Sequence, residues 1–142
     1  MTKINTLSDN YSSERKKIID KMRLKIKDPC KKILLVHPVQ ITESGIDIKI
    51  ALNRRYYMYP PYSLGVLTTN LKERGYDVSI LDLNFDVFKV FFDNSTESFS
   101  NDHITKIWKK TLEDKIKSFK PDLVGITCTF TMAHDLLVRT AD

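Results

Sequence analysis

His37, Asp82 and the run Thr127-Cys128-Thr129-Phe130-Thr131 are the residues of this 142-residue chain whose types and positions could do chemistry. Each ends an apolar run: Ile33-Leu34-Leu35-Val36 before His37, Val78-Ser79-Ile80-Leu81 before Asp82, and Leu123-Val124-Gly125-Ile126 before Thr127. A histidine can ligate a metal or move a proton near neutral pH. A carboxylate at a strand end can accept a ribose hydroxyl or cap the next turn. The three threonines offer hydroxyls to phosphate, amide or carbonyl groups. Plainer readings stand beside these: His37 as a strand-end residue bonded to backbone, Thr131 as a helix cap. Several chemistries are missing. The four glycines (Gly45, Gly65, Gly75, Gly125) are scattered, so there is no P-loop and no GxGxxG. No GxSxG elbow occurs. Apart from the adjacent His134-Asp135, His37, His103 and His134 have no neighbour at metal-ligand spacing, so no metal site made by this chain alone is expected.

The elements that must position these residues follow from hydrophobic pattern. Short continuous apolar runs are the mark of strands buried on both faces. Their alternation with helical patterns implies an α/β parallel sheet, in which ligands sit at the carboxyl ends of the strands. The first strand is expected over Lys32–His37, the second over Tyr76–Leu81, the third from Leu123. The first helix is expected from Ser63 to Arg74, with Ser63 as N-cap, Leu64, Leu67 and Leu71 buried, and Gly75 as the C-terminal stop. A second runs over His103–Phe119, capped by Asn101 or Asp102, with Ile104, Trp108, Leu112, Ile116 and Phe119 on one face. Phe85 to Phe92 begins a short helix or covers a core edge, and 93–102 loops out. The Phe85, Phe88, Phe91, Phe92 group reads as core. A further helix starts near Thr131 or Met132.

Between the first strand and first helix, Pro38 to Tyr62 is far longer than the roughly two to six residues such connections need. Ile46-Asp47-Ile48-Lys49-Ile50 alternates as a short exposed strand would. Arg54 to Pro61 is too aromatic for a linker and reads as a loop folded over a site. Gly65 and Gly125, without a Cβ, would let backbone approach a large flat ligand, and Gly125 in mid-strand could equally serve strand–helix packing.

The composition, 42% hydrophobic and 29% charged, is that of a soluble globular domain. No apolar run approaches the ~20 residues of a membrane span, and the polar start is no secretory signal. Cys30 and Cys128 lie far apart and read as buried thiols of a reducing, cytoplasmic compartment. Residues 1–32 hold ten Lys and Arg against four acidic residues, and the rest of the chain is near neutral. This basic arm lacks the interleaved aromatics of a nucleic-acid surface, so a solvated helix or docking segment is expected. Residues 1–11 read as disordered, and Ile18, Met22 and Ile26 stripe a helix ending at Pro29. The division expected is an arm and helix over 1–30 and an α/β domain over 31–142. Three strands leave edges uncovered where doubly wound sheets have about five. The chain is therefore expected to be the front part of a longer protein, or a truncated product.

KKILLVHP, PPYSLGVLTTNLKERGYDVSILDLN and KPDLVGITCTFT, in this order and spacing, resemble the N-terminal cobalamin-binding domain of the B12-dependent radical SAM proteins. The resemblance covers roughly residues 31–142. It implies a flavodoxin-like (Rossmann-like) domain with the corrin ring over the carboxyl ends of the strands. The positions matching cofactor-facing loops are Pro60, Pro61, Ser63, Leu64, Gly65, Asp82, Thr127, Cys128, Thr129, Phe130 and Thr131. The DxHxxG motif of cobalamin-dependent mutases is absent, so the cobalt would carry no protein histidine. The CxxxCxxC cluster motif is absent too. A 4Fe-4S cluster and S-adenosylmethionine would belong to a downstream domain or partner protein, and the residues here would position the cofactor without breaking bonds. The competing expectation is a non-catalytic flavodoxin-like docking or regulatory module. A flavin or nucleotide binder has little support without phosphate-cradling glycines.

Overall fold

Four consecutive apolar residues, Ile33 to Val36, are each at most 5% exposed and make the centre of the sheet. The structure is a computed structural model that describes residues 13–21, 24, 29–40, 47, 49, 50, 53, 59–93, 101–128 and 134–142. Its contacts divide the chain into two units, Met1–Cys30 and Lys31–Asp142. The first is helical over 13–21 and at Leu24; Met22 and Ile26 of the expected stripe lie outside the described residues.

The second unit runs β1 (Lys32–His37), α1 (Tyr62–Glu73), β2 (Asp77–Asp82), α2 (Leu83–Asp93), α3 (Asn101–Phe119), β3 (Leu123–Ile126) and α4 (His134–Ala141). The three strands form one parallel sheet in the order β2-β1-β3. This is the opening of the 2-1-3-4-5 order of flavodoxin-like sheets. The α/β reading of the sequence therefore stands.

Alternation along β1 sends Leu34 and Val36 to one face. There they cluster with Leu81 of β2, Leu83, Val87 and Phe88 of α2, and Ile104 and Trp108 of α3. Ile33 and Leu35 alternate to the other face and are equally buried. That face receives α1, which packs on β2 and carries buried Leu64. The phenylalanines divide: Phe88 is in the core and Phe92 packs against it, while Phe85 is 47% exposed.

Several expectations need correction. Pro61, not Ser63, holds the N-cap position of α1, and it makes no side-chain cap bond. The Pro60-Pro61 pair starts the helix through its carbonyls: Tyr62 N–H donates to Pro60 O, and Leu64 and Gly65 N–H donate to Pro61 O. In α1 the inward positions are Leu64, Thr68 and Leu71, leaving Leu67 45% exposed. The buried arc is turned toward Thr68 and away from Leu67. Lys49 and Ile50 are helical, not extended, because the Asp47 carboxylate accepts both of their N–H groups and nucleates a turn. Ile116, expected on the buried face of α3, is 40% exposed. Cys128 is exposed, not buried. Of the expected loop over 93–102, Asp93 belongs to α2, and Asn101 and Asp102, expected as caps, are already helical in α3. Residues 94–100 and 54–58 lie outside the described residues, as do the side chains of Asn101 and Asp102.

The C-terminal stop of α1 is as expected. Gly75 takes φ +85, Gly75 N–H donates to Lys72 O and Tyr76 N–H to Leu71 O. This is a Schellman closure, which needs a left-handed residue at that place. At the end of α3 the same left-handed position falls to Lys120, φ 51. Asp122 then ties β3 to β1: its Oδ2 accepts the N–H groups of Lys31 and Lys32, both at 2.9 Å.

Candidate functional site

Parallel register brings His37 and Asp82, 45 residues apart in sequence, opposite one another as the last paired residues of β1 and β2. His37 Nδ1–H donates to Asp82 Oδ1 at 3.1 Å. The same carboxylate oxygen accepts the N–H of Phe85 at 3.0 Å, so Asp82 also caps α2. The helix-capping reading of Asp82 is the one realised, with a histidine partner added. On the far side of the ring, Gln40 Nε2 lies 2.6 Å from His37 Nε2. The chain leaving β1 is fixed there by Asn84, which is buried and whose Oδ1 accepts the Gln40 backbone N–H. His37 itself is 2% exposed. Its ring is bonded by two side chains, not by backbone as the strand-end reading supposed.

The donor roles along this chain are set by chemistry. A carboxylate only accepts, so Nδ1 of His37 must carry the proton. In the neutral ring Nε2 is then an acceptor, and Gln40 must turn its NH₂ toward it. The carbonyl Oε1 and second amide hydrogen of Gln40 have no partner among the described residues.

His37 and Gln40 form one wall of a cleft of about 450 Å³ at the carboxyl end of β1, and Tyr59 to Ser63 form the other. Tyr59, Pro60, Pro61 and Tyr62 give it apolar, rigid walls. It opens beside the first turn of α1, which holds no acidic residue, so the partial positive charge of that helix start is unopposed locally. On α2, one turn after Asp82, the environment of Asp86 is plainly perturbed. Burial raises its carboxyl above the ordinary value, Asp82 repels it further, and Lys89 acts in the opposite sense.

Of the positions taken from the resemblance, the cleft gathers Pro60, Pro61 and Ser63. Asp82 stands behind it, in contact through His37. Leu64 is buried, and a Cβ added to Gly65 would meet open space. Thr127 extends β3 by donating its N–H to Val36 O, and Cys128 is exposed beyond it. Neither lines this cleft. Thr129, Phe130 and Thr131 lie outside the described residues. Gln40, Tyr59 and Tyr62 are wall residues that sequence reasoning did not single out; the aromatic richness of 54–61 was the available signal for the tyrosines. Nothing in the sequence marked Gln40. Among the described residues there is no group of three metal-ligating side chains, and no helix long and apolar enough to cross a membrane.

No protein-family model matches the chain, and no solved structure matches it. A tryptophan 2-C-methyltransferase from Streptomyces laurentii is 35% identical over 71 residues, which is 50% of this chain and 9% of that protein. The chain thus spans a small fraction of the curated relative it matches.

Proposed function

We propose that the unit Lys31–Asp142 is a corrinoid-binding domain, the cobalamin-holding front of a methyltransferase of the B12-dependent radical SAM kind. The observation that carries this reading is the cleft at the carboxyl end of the central parallel strand, walled by the Pro60-Pro61 turn and Ser63. Those are residues that the resemblance assigns to the cofactor, and the strand ends are where such sheets take ligands. The methyltransferase named above supports the reaction class.

The residues fit a corrinoid in kind. A corrin is a broad apolar disc fringed by carboxamides. The tyrosine and proline rings offer flat apolar contact, while Gln40 and Ser63 offer hydrogen bonds at the rim. A cleft of about 450 Å³ takes one edge of the disc. The remaining positions, Leu64, Gly65 and Thr127 to Thr131, would belong to the rest of the pocket. When bound, the cobalt of the corrin supplies a carrier for a methyl group. The chain's own part is to bind, orient and exclude water. Both ring nitrogens of His37 are engaged, by Asp82 and Gln40, so this imidazole would serve to position Gln40 and would not be offered to the cofactor. The 4Fe-4S cluster and S-adenosylmethionine would be held by a separate radical SAM domain.

The test is a visible-absorbance titration of the purified chain with hydroxocobalamin, repeated on the longest product of the reading frame. A saturable shift toward the base-off spectrum is expected. The absence of any shift in both proteins would overturn corrinoid binding and leave a flavodoxin-like docking module.

A further inference from the structure

We infer that Gln40 is a recognition residue for a carboxamide of the bound ligand, held in one amide orientation by the Asp82–His37 pair. This rests on the corrinoid reading and adds the chemical group that the β1 wall of the cleft selects.

The argument starts at Asp82. Its carboxylate can only accept, so His37 Nδ1 donates to it at 3.1 Å, and in the neutral ring Nε2 is an acceptor. Gln40 Nε2 must donate to that nitrogen, which settles which end of the Gln40 amide is nitrogen. The Gln40 backbone is fixed in turn by its N–H bond to the buried Asn84. A half-buried amide is thereby held at its nitrogen end on a fixed backbone, with its carbonyl and one N–H lacking a partner among the described residues. An amide that offers a carbonyl and an N–H in one plane is complementary to another carboxamide, which offers the same pair in reverse. A carboxylate in that place gives up one bond and meets the Gln40 carbonyl with a second acceptor. Leaving buried polar groups unpaired is the stronger source of selectivity, because the lost bond is not replaced by water. His37 and Asp82 are positioning residues that act through Gln40.

The experiment compares cobinamide, whose ring fringe is amides, with cobyrinic acid, whose fringe is carboxylates. Both are titrated against the wild-type chain, Gln40→Met and Asp82→Asn at one fixed ionic strength. The ratio of the two affinities is read for each protein, so that the general effect of probe charge cancels between wild type and Gln40→Met, which carry the same charge; for Asp82→Asn the tautomer readout below decides. Wild type is expected to favour cobinamide. Gln40→Met should narrow that preference by about tenfold, the size of one to two good hydrogen bonds. Asp82→Asn removes the constraint on the His37 tautomer and should narrow it in the same direction. Nitrogen NMR of the wild-type imidazole should show His37 protonated at Nδ1 and bare at Nε2. An unchanged preference in Gln40→Met, with cobinamide still bound, would overturn the role of Gln40 and leave the corrinoid reading intact. A wild-type His37 protonated at Nε2 would overturn the relay. Failure of the wild type to bind either probe would sink the corrinoid reading and this inference with it. Melting curves of the variants separate loss of recognition from loss of fold.

Discussion

Asp82 is one carboxylate serving two structures: it caps α2 through Phe85 and fixes the ring of His37. Its neighbour one helical turn on bears the cost. The Asp86 carboxyl is held above its ordinary value by burial first and by the Asp82 charge second, against Lys89. A carboxyl raised in the folded state favours folding only while it is protonated. That contribution is complete below the unfolded value and is lost as pH rises through the folded one. At neutral pH the Asp86 anion therefore opposes folding. Asp86→Asn is expected to be more stable than wild type at pH 7, with the difference shrinking as pH falls through the acidic range. Urea melts at several pH values measure this; a stability gap that grows on acidification would contradict it. The sequence placed His37 and Asp82 at equivalent strand ends, which a period of apolar runs is enough to show. Their pairing was not legible, because it depends on the register of two strands joined through a connection and a helix. Gln40 was hidden for a related reason. It is an ordinary glutamine in sequence, and only the bond to His37 makes its amide directional.

At the scale of elements, helix ends separate what local signals carry from what they do not. Gly75 announced the end of α1, because a left-handed residue favours glycine and the hydrophobic period stops there. The end of α3 uses Lys120 in the same conformation, at φ 51. A non-glycine residue pays steric strain in that region. Lys120→Gly is expected to stabilise the chain by about 0.5–1 kcal/mol, offset in part by greater freedom of the unfolded chain. Thermal or chemical melting checks the sign; a loss of stability would show that the lysine side chain contributes more than its backbone costs. The start of α1 misled in the opposite way. Ser63 is a good capping residue by type, but the preceding Pro60 and Pro61 fix the backbone earlier and move the cap two residues back, to Pro61. The exposed Leu67 has a similar lesson: Leu64, Leu67 and Leu71 share a face, but the protein buries the neighbouring arc turned toward Thr68.

Across the whole molecule, β1 is saturated with partners on both sides while β3 pairs on one side only among the described residues. Val124 on that strand is 39% exposed. An edge strand with an apolar exposed residue and no charge of its own invites pairing with another copy. The 142-residue chain is expected to self-associate on gel filtration, and Val124→Lys to shift it toward monomer with little change in melting temperature. A sharp monomeric peak for the wild type would contradict this. The sequence by itself determined the parallel α/β class, the three strands and the helices α1 and α3, and left open whether Phe85 to Phe92 is a helix or a cover on the core edge. Those follow from local pattern, because apolar period and turn residues act within a few positions of one another. Tertiary structure alone decided the strand order, the meeting of His37 with Asp82, and the cleft between Gln40 and the Pro60-Pro61 turn. These depend on register and on packing across the sheet, where groups far apart in the chain are brought together by burial that no single segment specifies.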